Sequence, residues 1–170
     1  MFVLLLEVRV KMEKSFNNEL NECETRKQKE FYDKFPLLFP KHPHWSTKRE
    51  VQEPECGFSC DYGWWPLLKK LCSDLTKLLE ESGLPEENKI IPIDQIKEKF
   101  SGVRIYFGSF HESLNDKVYA LVREAEEKSF KICETCGQPG EKRSGGWLKV
   151  RCDSCQEKLK EINKCIGQTH

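Results

Sequence analysis

Cys133-Glu-Thr-Cys136 and Cys152-Asp-Ser-Cys155 stand fifteen residues apart. Zinc takes four thiolates in a tetrahedron, each at about 2.3 Å, and two C-x2-C pairs at this separation are the sequence pattern of one such site. The segment between the pairs must double back to bring the second pair to the first. Gly137, Pro139 and Gly140 supply one turn, Gly145-Gly146 another, and Trp147-Leu-Lys-Val-Arg151 reads as the returning strand. After Cys152 the pattern becomes helical, with Leu159 and Ile162 on one face. Knuckle, hairpin and a helix carrying the last ligands is the order of a treble clef or zinc ribbon. Four reduced cysteines without metal is the simpler alternative, but so polar a segment has little core in which to hide them. The expectation is a Zn2+ site of Cys133, Cys136, Cys152 and Cys155.

A four-cysteine shell leaves no open position for a water nucleophile, so such a site folds a segment and catalyses nothing. Its neighbours suggest a surface. Residues 129–170 carry eight Lys and Arg against five Asp and Glu, a balance of plus three before metal and thiolates are counted. Trp147 among Arg143, Lys149 and Arg151 is the candidate nucleic-acid surface, an aromatic beside cations. Packing of Trp147 beneath the zinc loop is the equally weighted alternative.

A second group lies in Glu55-Cys-Gly-Phe-Ser-Cys-Asp-Tyr-Gly-Trp-Trp-Pro66. Cys56 and Cys60 form a C-x3-C pair with no second pair, which is poor zinc spacing. Asp61 is placed to cap or brace a turn. Trp64 and Trp65 read as a ligand surface or, more simply, as the anchor of a small core. A catalytic alternative sets Cys56 or Cys60 near Asp61 and His111 as nucleophile and base. No P-loop, dinucleotide fingerprint, H-E-x-x-H or deaminase motif supports it. Glu98, Arg104 and Tyr106, with Asp61 and Trp64, make up a secondary candidate site, against the simpler reading of a solvated sheet face with ion pairs. His42 and His44 read as loop histidines.

The elements that must hold these groups follow from periodicity. Trp64, Leu68, Leu71, Leu75 and Leu78 recur at helical spacing, with Pro66 in the first turn and Gly83-Leu-Pro85 at the end. Val103, Ile105 and Phe107 alternate with Arg104 and Tyr106, which predicts a strand. Ser101-Gly102 reads as its hairpin turn, and the partner strand is legible to about Ile93. Glu112 to Ser129 is a predicted helix, capped by Ser113 or Asn115, with Leu114, Val118, Leu121, Val122 and Ala125 buried. A weakly amphipathic helix is expected over about Asn17–Asp33, and three prolines exclude a regular element in Phe35–Trp45. The organisation expected is an N-terminal extension over 1–50, an α+β body over 51–129 and a zinc module over 130–170.

Lys plus Arg and Asp plus Glu both number 28, so a whole-chain electrostatic grip on nucleic acid is not indicated. Nine cysteines, an odd number, beside a metal motif fit a reducing cytoplasm better than a disulfide framework. Met1–Val10 is apolar but falls short of the roughly 20 residues of a membrane span. It contains Glu7 and Arg9 and reads as a strand, or as an extension upstream of a start at Met12.

Several stretches together carry a resemblance. They are Phe35-Pro-x-x-Phe39, the Glu55-Cys-Gly…Cys-Asp-x-Gly-Trp64 segment, Gln95-Ile-Lys-Glu-Lys-Phe-x-Gly-Val-Arg-Ile-Tyr106, and the Cys133…Trp147…Cys152 tail. The chain resembles an uncharacterised family of small phage, prophage and bacterial proteins with E-C-G-D-G-W, Q-x-K-E-K-F-G-x-L-R-F-Y and terminal CxxC…CxxC motifs. The resemblance spans about Phe31–Lys158. Asp-Tyr-Gly-Trp here stands for the family's Asp-Gly-Trp. It implies phage or prophage provenance and a bacterial host cytoplasm, and it supplies no mechanism. The function expected is non-catalytic binding of a protein or nucleic acid, with no membrane role.

Overall fold

The structure, a computed structural model, describes residues 29–40, 58–144 and 148–167. The chain divides into two compact units, Met1–Lys34 and Phe35–His170. In the first, residues 29–34 are helical (α1), with a Lys29–Asp33 ion pair one turn apart at 2.9 Å.

The second unit begins at Phe35. Phe35–Phe39 forms a turn, closed by the Leu38 and Phe39 N–H groups on Phe35 O. Ile91 N–H donates to Leu37 O and Ile93 N–H to Leu38 O, so this turn is hydrogen-bonded into the body and Leu38 is fully buried. The zinc module expected over 130–170 likewise belongs to this same unit.

The fold is α+β. A three-stranded sheet has the order β1 (Phe58–Ser59), β2 (Ile93–Lys99), β3 (Gly102–Phe107), with β1 parallel to β2 and β2 antiparallel to β3. Register pairs Lys97 with Arg104 and Gln95 with Tyr106 on one face, and Ile96 with Ile105 and Glu98 with Val103 on the other, with a bulge between Ile93 and Gln95. Val103, Ile96 and Ile105 are buried. The face of Lys97 and Tyr106 stays exposed to half-exposed.

Helix α2 (Trp65–Glu80) starts on Pro66, whose missing N–H costs nothing at a helix start, and buries Leu68, Leu71, Cys72, Leu75 and Leu79. Leu78 is only half-buried. Helix α3 (Asn115–Ser129) follows a short 3-10 turn, Glu112–Leu114, and buries Val118, Val122 and Ala125. Its cap differs from the expectation. His111 Nδ1, rather than Ser113 or Asn115, takes the Ser113 N–H of the 3-10 turn. Helix α3 packs on α2 and on β3. Ser129 Oγ accepts the Val103 N–H at 3.0 Å and donates to Glu126 O, so the helix end satisfies a strand donor that β2 does not take.

The hairpin turn is also one residue off the expectation. Strand β2 continues to Lys99, and the two turn residues are Phe100 (φ +56°) and Ser101 (φ +69°). Two consecutive positive φ values are the pattern of a type I′ turn, which matches the twist of the strands. Glu98 Oε1 accepts the Ser101 N–H at 2.8 Å and holds the turn. Gly102 lies against a side chain. A Cβ there would lie 2.7 Å from the Phe130 ring.

Candidate metal centre

The last part of the chain is built for close approach of its two cysteine pairs. A short hairpin, β4 (Glu141–Lys142) with β5 (Val150–Arg151), returns the chain, and helix α4 (Asp153–Gly167) begins at once. Cys133 and Cys136 sit on a knuckle, closed by Gly137 N–H to Cys133 O (2.8 Å) and Cys133 N–H to Gln138 O (2.7 Å). Gly137 holds φ +79°, which a residue with a side chain rarely adopts. Cys152 precedes α4 and Cys155 lies in its first turn.

These elements bring the four thiol sulfurs within 4.8 Å of one another, Cys136 and Cys152 at 3.6 Å. A tetrahedron of sulfurs about 2.3 Å from a centre has edges of about 3.8 Å, so the donor set fits one metal ion. Cys133 is buried and Cys136 exposed, with Cys152 and Cys155 between. Hydrogen bonds already point at the sulfurs. The Ser154 hydroxyl and the Cys155 N–H hold the Cys152 thiol down to about 6. Burial and the neighbouring thiols of Cys152, Cys136 and Cys133 push Cys155 up to about 12. Metal binding must therefore displace protons, and acid opposes it.

The knuckle is seated on the body at Asp61–Trp64. Gly63 N–H donates to Glu134 O at 2.7 Å, and Trp64 Nε1 donates to Ile132 O at 2.9 Å. Trp64 is 0% exposed. Gly63 has no space for a side chain, since a Cβ would lie 2.2 Å from Cys133 O, 2.4 Å from Glu134 O and 2.6 Å from Gly137 N. Glu134, between the two knuckle cysteines, is 0% exposed. Its Oε1 accepts from Lys149 Nζ (3.0 Å) and from Asp61 N–H (3.2 Å), while Oε2 makes no hydrogen bond. Burial pushes the Glu134 carboxyl up and Lys149 draws it down. Lys149 Nζ also lies 3.6 Å from Asp61 Oδ2. Knuckle, returning strand and body turn thus meet on one buried carboxylate.

The chain finds no match among protein-family models, curated proteins or solved structures.

The other sequence-derived residues fall as follows. Asp61 precedes a 3-10 turn without capping it. Its carboxylate instead takes Thr135 Oγ1 (3.4 Å) and Lys149. Trp64 is core, and Asp61 and Trp64 are joined to the metal knuckle. Arg104 and Tyr106 share the open sheet face, but Glu98 is in register with Val103 on the other face, so the three do not form one polar site. Arg143 is consumed inside the module. Its Nε donates to Arg151 O (3.0 Å), and its terminal nitrogens meet Glu141 (2.9 Å) and Asp153 (2.5 Å). Lys149 is consumed by Glu134 and Asp61. Trp147, Cys56, His42 and His44 lie outside the described residues. Cys60 is half-buried, and burial, then the Glu134 and Asp61 charges, push its thiol up to about 12. An activated nucleophile needs the opposite shift. Glu134 and Gly63 are functional residues that the sequence analysis does not single out. The signal for Gly63 is its place in the Cys-Asp-x-Gly-Trp run, and for Glu134 there is none.

Proposed function

We propose that the chain is a non-catalytic, macromolecule-binding protein whose four-cysteine centre holds a structural zinc ion in a treble-clef-like module. The observation that carries this reading is the closed donor set of Cys133, Cys136, Cys152 and Cys155, whose backbone is seated on Gly63 and Trp64. Four thiolates favour zinc over harder ions, and a filled shell leaves no site for substrate. The order of knuckle, hairpin and helix supports the treble-clef reading. Phage or prophage origin and a bacterial cytoplasm rest on the motif resemblance alone. Among the described residues no helix is long and apolar enough to cross a membrane.

The test is metal analysis of protein purified without added metal, followed by cobalt substitution. One zinc per chain, and a cobalt form with the intense visible bands and thiolate charge-transfer of a tetrahedral sulfur site, are expected. Cys136→Ser should lose the metal. A folded, metal-free chain with unchanged stability would overturn the reading.

A further inference from the structure

The nucleic-acid surface suggested by sequence around Trp147 loses two of its cations to internal contacts, Arg143 and Lys149. A different face carries aromatic rings and cations together. On the open side of the hairpin, Lys97 Nζ lies over the Tyr106 ring at 4.5 Å, and at the tip Lys99 Nζ lies over Phe100 at 5.3 Å. Beside them the Arg104 guanidinium lies 5.9 Å from the Phe130 ring centre. The rings face water, with Phe100 68% exposed, Tyr106 41% and Phe130 38%. Register puts Lys97, Arg104, Gln95 and Tyr106 on the same face of the two strands.

We propose that this face binds single-stranded nucleic acid, the three rings stacking bases and Lys97 and Lys99 meeting the phosphates. The inference rests on the macromolecule-binding reading above and names its partner. Three arguments choose this occupant. Exposed rings beside cations are what successive bases and phosphates need, and a ring stacks on any base. The charge is complementary. Arg104 is committed internally, its Nη1 donating to Val103 O at 2.8 Å and pairing with Glu126 at 3.7 Å, so the cations the face offers are Lys97 and Lys99, while Glu98 Oε1 is held by the Ser101 N–H. The tip itself is costly, because a bulky aromatic side chain in the left-handed region is an outlier that burial does not repay here. A duplex fits less well, since its bases are already stacked on one another. Exposed cation–aromatic pairs are weak, so the lysines can leave their rings for phosphate as a base arrives.

The experiment measures anisotropy of short fluorescein-labelled single-stranded DNA and RNA, and of a duplex control, with the zinc-loaded full chain across a salt series. The wild type should bind single strands more tightly than duplex. Tyr106→Ala should weaken binding about tenfold, Tyr106→Phe should retain it, and Lys97→Gln should flatten the logarithmic salt slope by about 0.7. Comparison of the DNA and RNA arms identifies which strand is preferred. The inference is overturned if the wild type binds neither strand, if duplex binds as well, or if the Tyr106 and Lys97 variants bind like wild type. Capture of protein partners alone would also overturn it. Zinc content and melting temperature, measured on every sample, separate this failure from failure of the structural-zinc reading.

Discussion

Gly63 and Lys149 carry more of the metal module's seating than their exposure suggests. At Gly63 three backbone atoms of the knuckle stand within 2.6 Å of where a Cβ would be. Backbone cannot swing aside as a side chain does, so Gly63→Ala must push the knuckle off the turn. The expected loss is about 3 kcal/mol, the upper part of the range for overpacking. Urea unfolding of the zinc-loaded protein checks it, and a loss below about 1 kcal/mol would mean that the knuckle is not seated there. Lys149 acts through charge. Glu134 is fully buried with one oxygen already without a hydrogen bond. Lys149→Met removes the only cation paired with it among the described residues, and stranding a buried charge costs about 3 kcal/mol or more. Adding Glu134→Gln should recover part of that loss. Strictly additive losses in the double-mutant cycle would show that the pair is not coupled. Charge reversal at Lys149 therefore tests stability before it tests any ligand.

At the scale of elements, the hairpin β2–β3 sets stability against surface chemistry. A type I′ turn is served best by Asn-Gly, both of which accept positive φ, and the chain uses Phe-Ser. Replacing Phe100-Ser101 by Asn-Gly should raise stability by about 1 kcal/mol. The same change removes the most exposed ring of the aromatic face, so nucleic-acid affinity should fall while the melting temperature rises. A destabilised variant would show that Phe100 is held by packing rather than strain. This turn also marks where the sequence stops being legible. Alternation in Val103–Phe107 gives β3 directly, but Ser101-Gly102 has the composition of a turn and draws the expected corner one residue too far. Lys97, Glu98 and Lys99 hide the end of β2 because a solvated strand face and a helix face share that composition. Helices α2 and α3 are legible because their apolar periodicity is local. The cysteine spacing is legible for the same reason. The contacts of Gly63 with Glu134 and of Asp61 with Lys149 join residues more than seventy positions apart, and no local pattern encodes them.

At the scale of the whole second unit, the proposed metal centre and the body are joined through the contacts of the knuckle. The knuckle gives the body two hydrogen-bond acceptors, Ile132 O and Glu134 O, and it covers Trp64. A structural zinc ion contributes on the order of 10 kcal/mol of apparent folding free energy at neutral pH. A domain of this size is stable by only about 5–15 kcal/mol in total. The two figures are comparable, so the expected effect of metal loss extends beyond residues 130–167. Chelation should abolish the native thermal transition or lower it as a whole. Hydrogen exchange should rise at 61–66 together with the knuckle. Acid should act in the same direction. The bound state holds deprotonated thiolates, so the unfolded chain binds more protons, and stability falls as pH falls through the range in which those thiolates take up protons. Rising pH restores it. The decisive outcome is the shape of the chelated melt. One weakened transition, or none, fits a metal centre that locks Gly63 and Trp64 in place. A module that melts alone, with the body transition left at its native temperature, would mean that helices α2 and α3 and the sheet need nothing from the zinc.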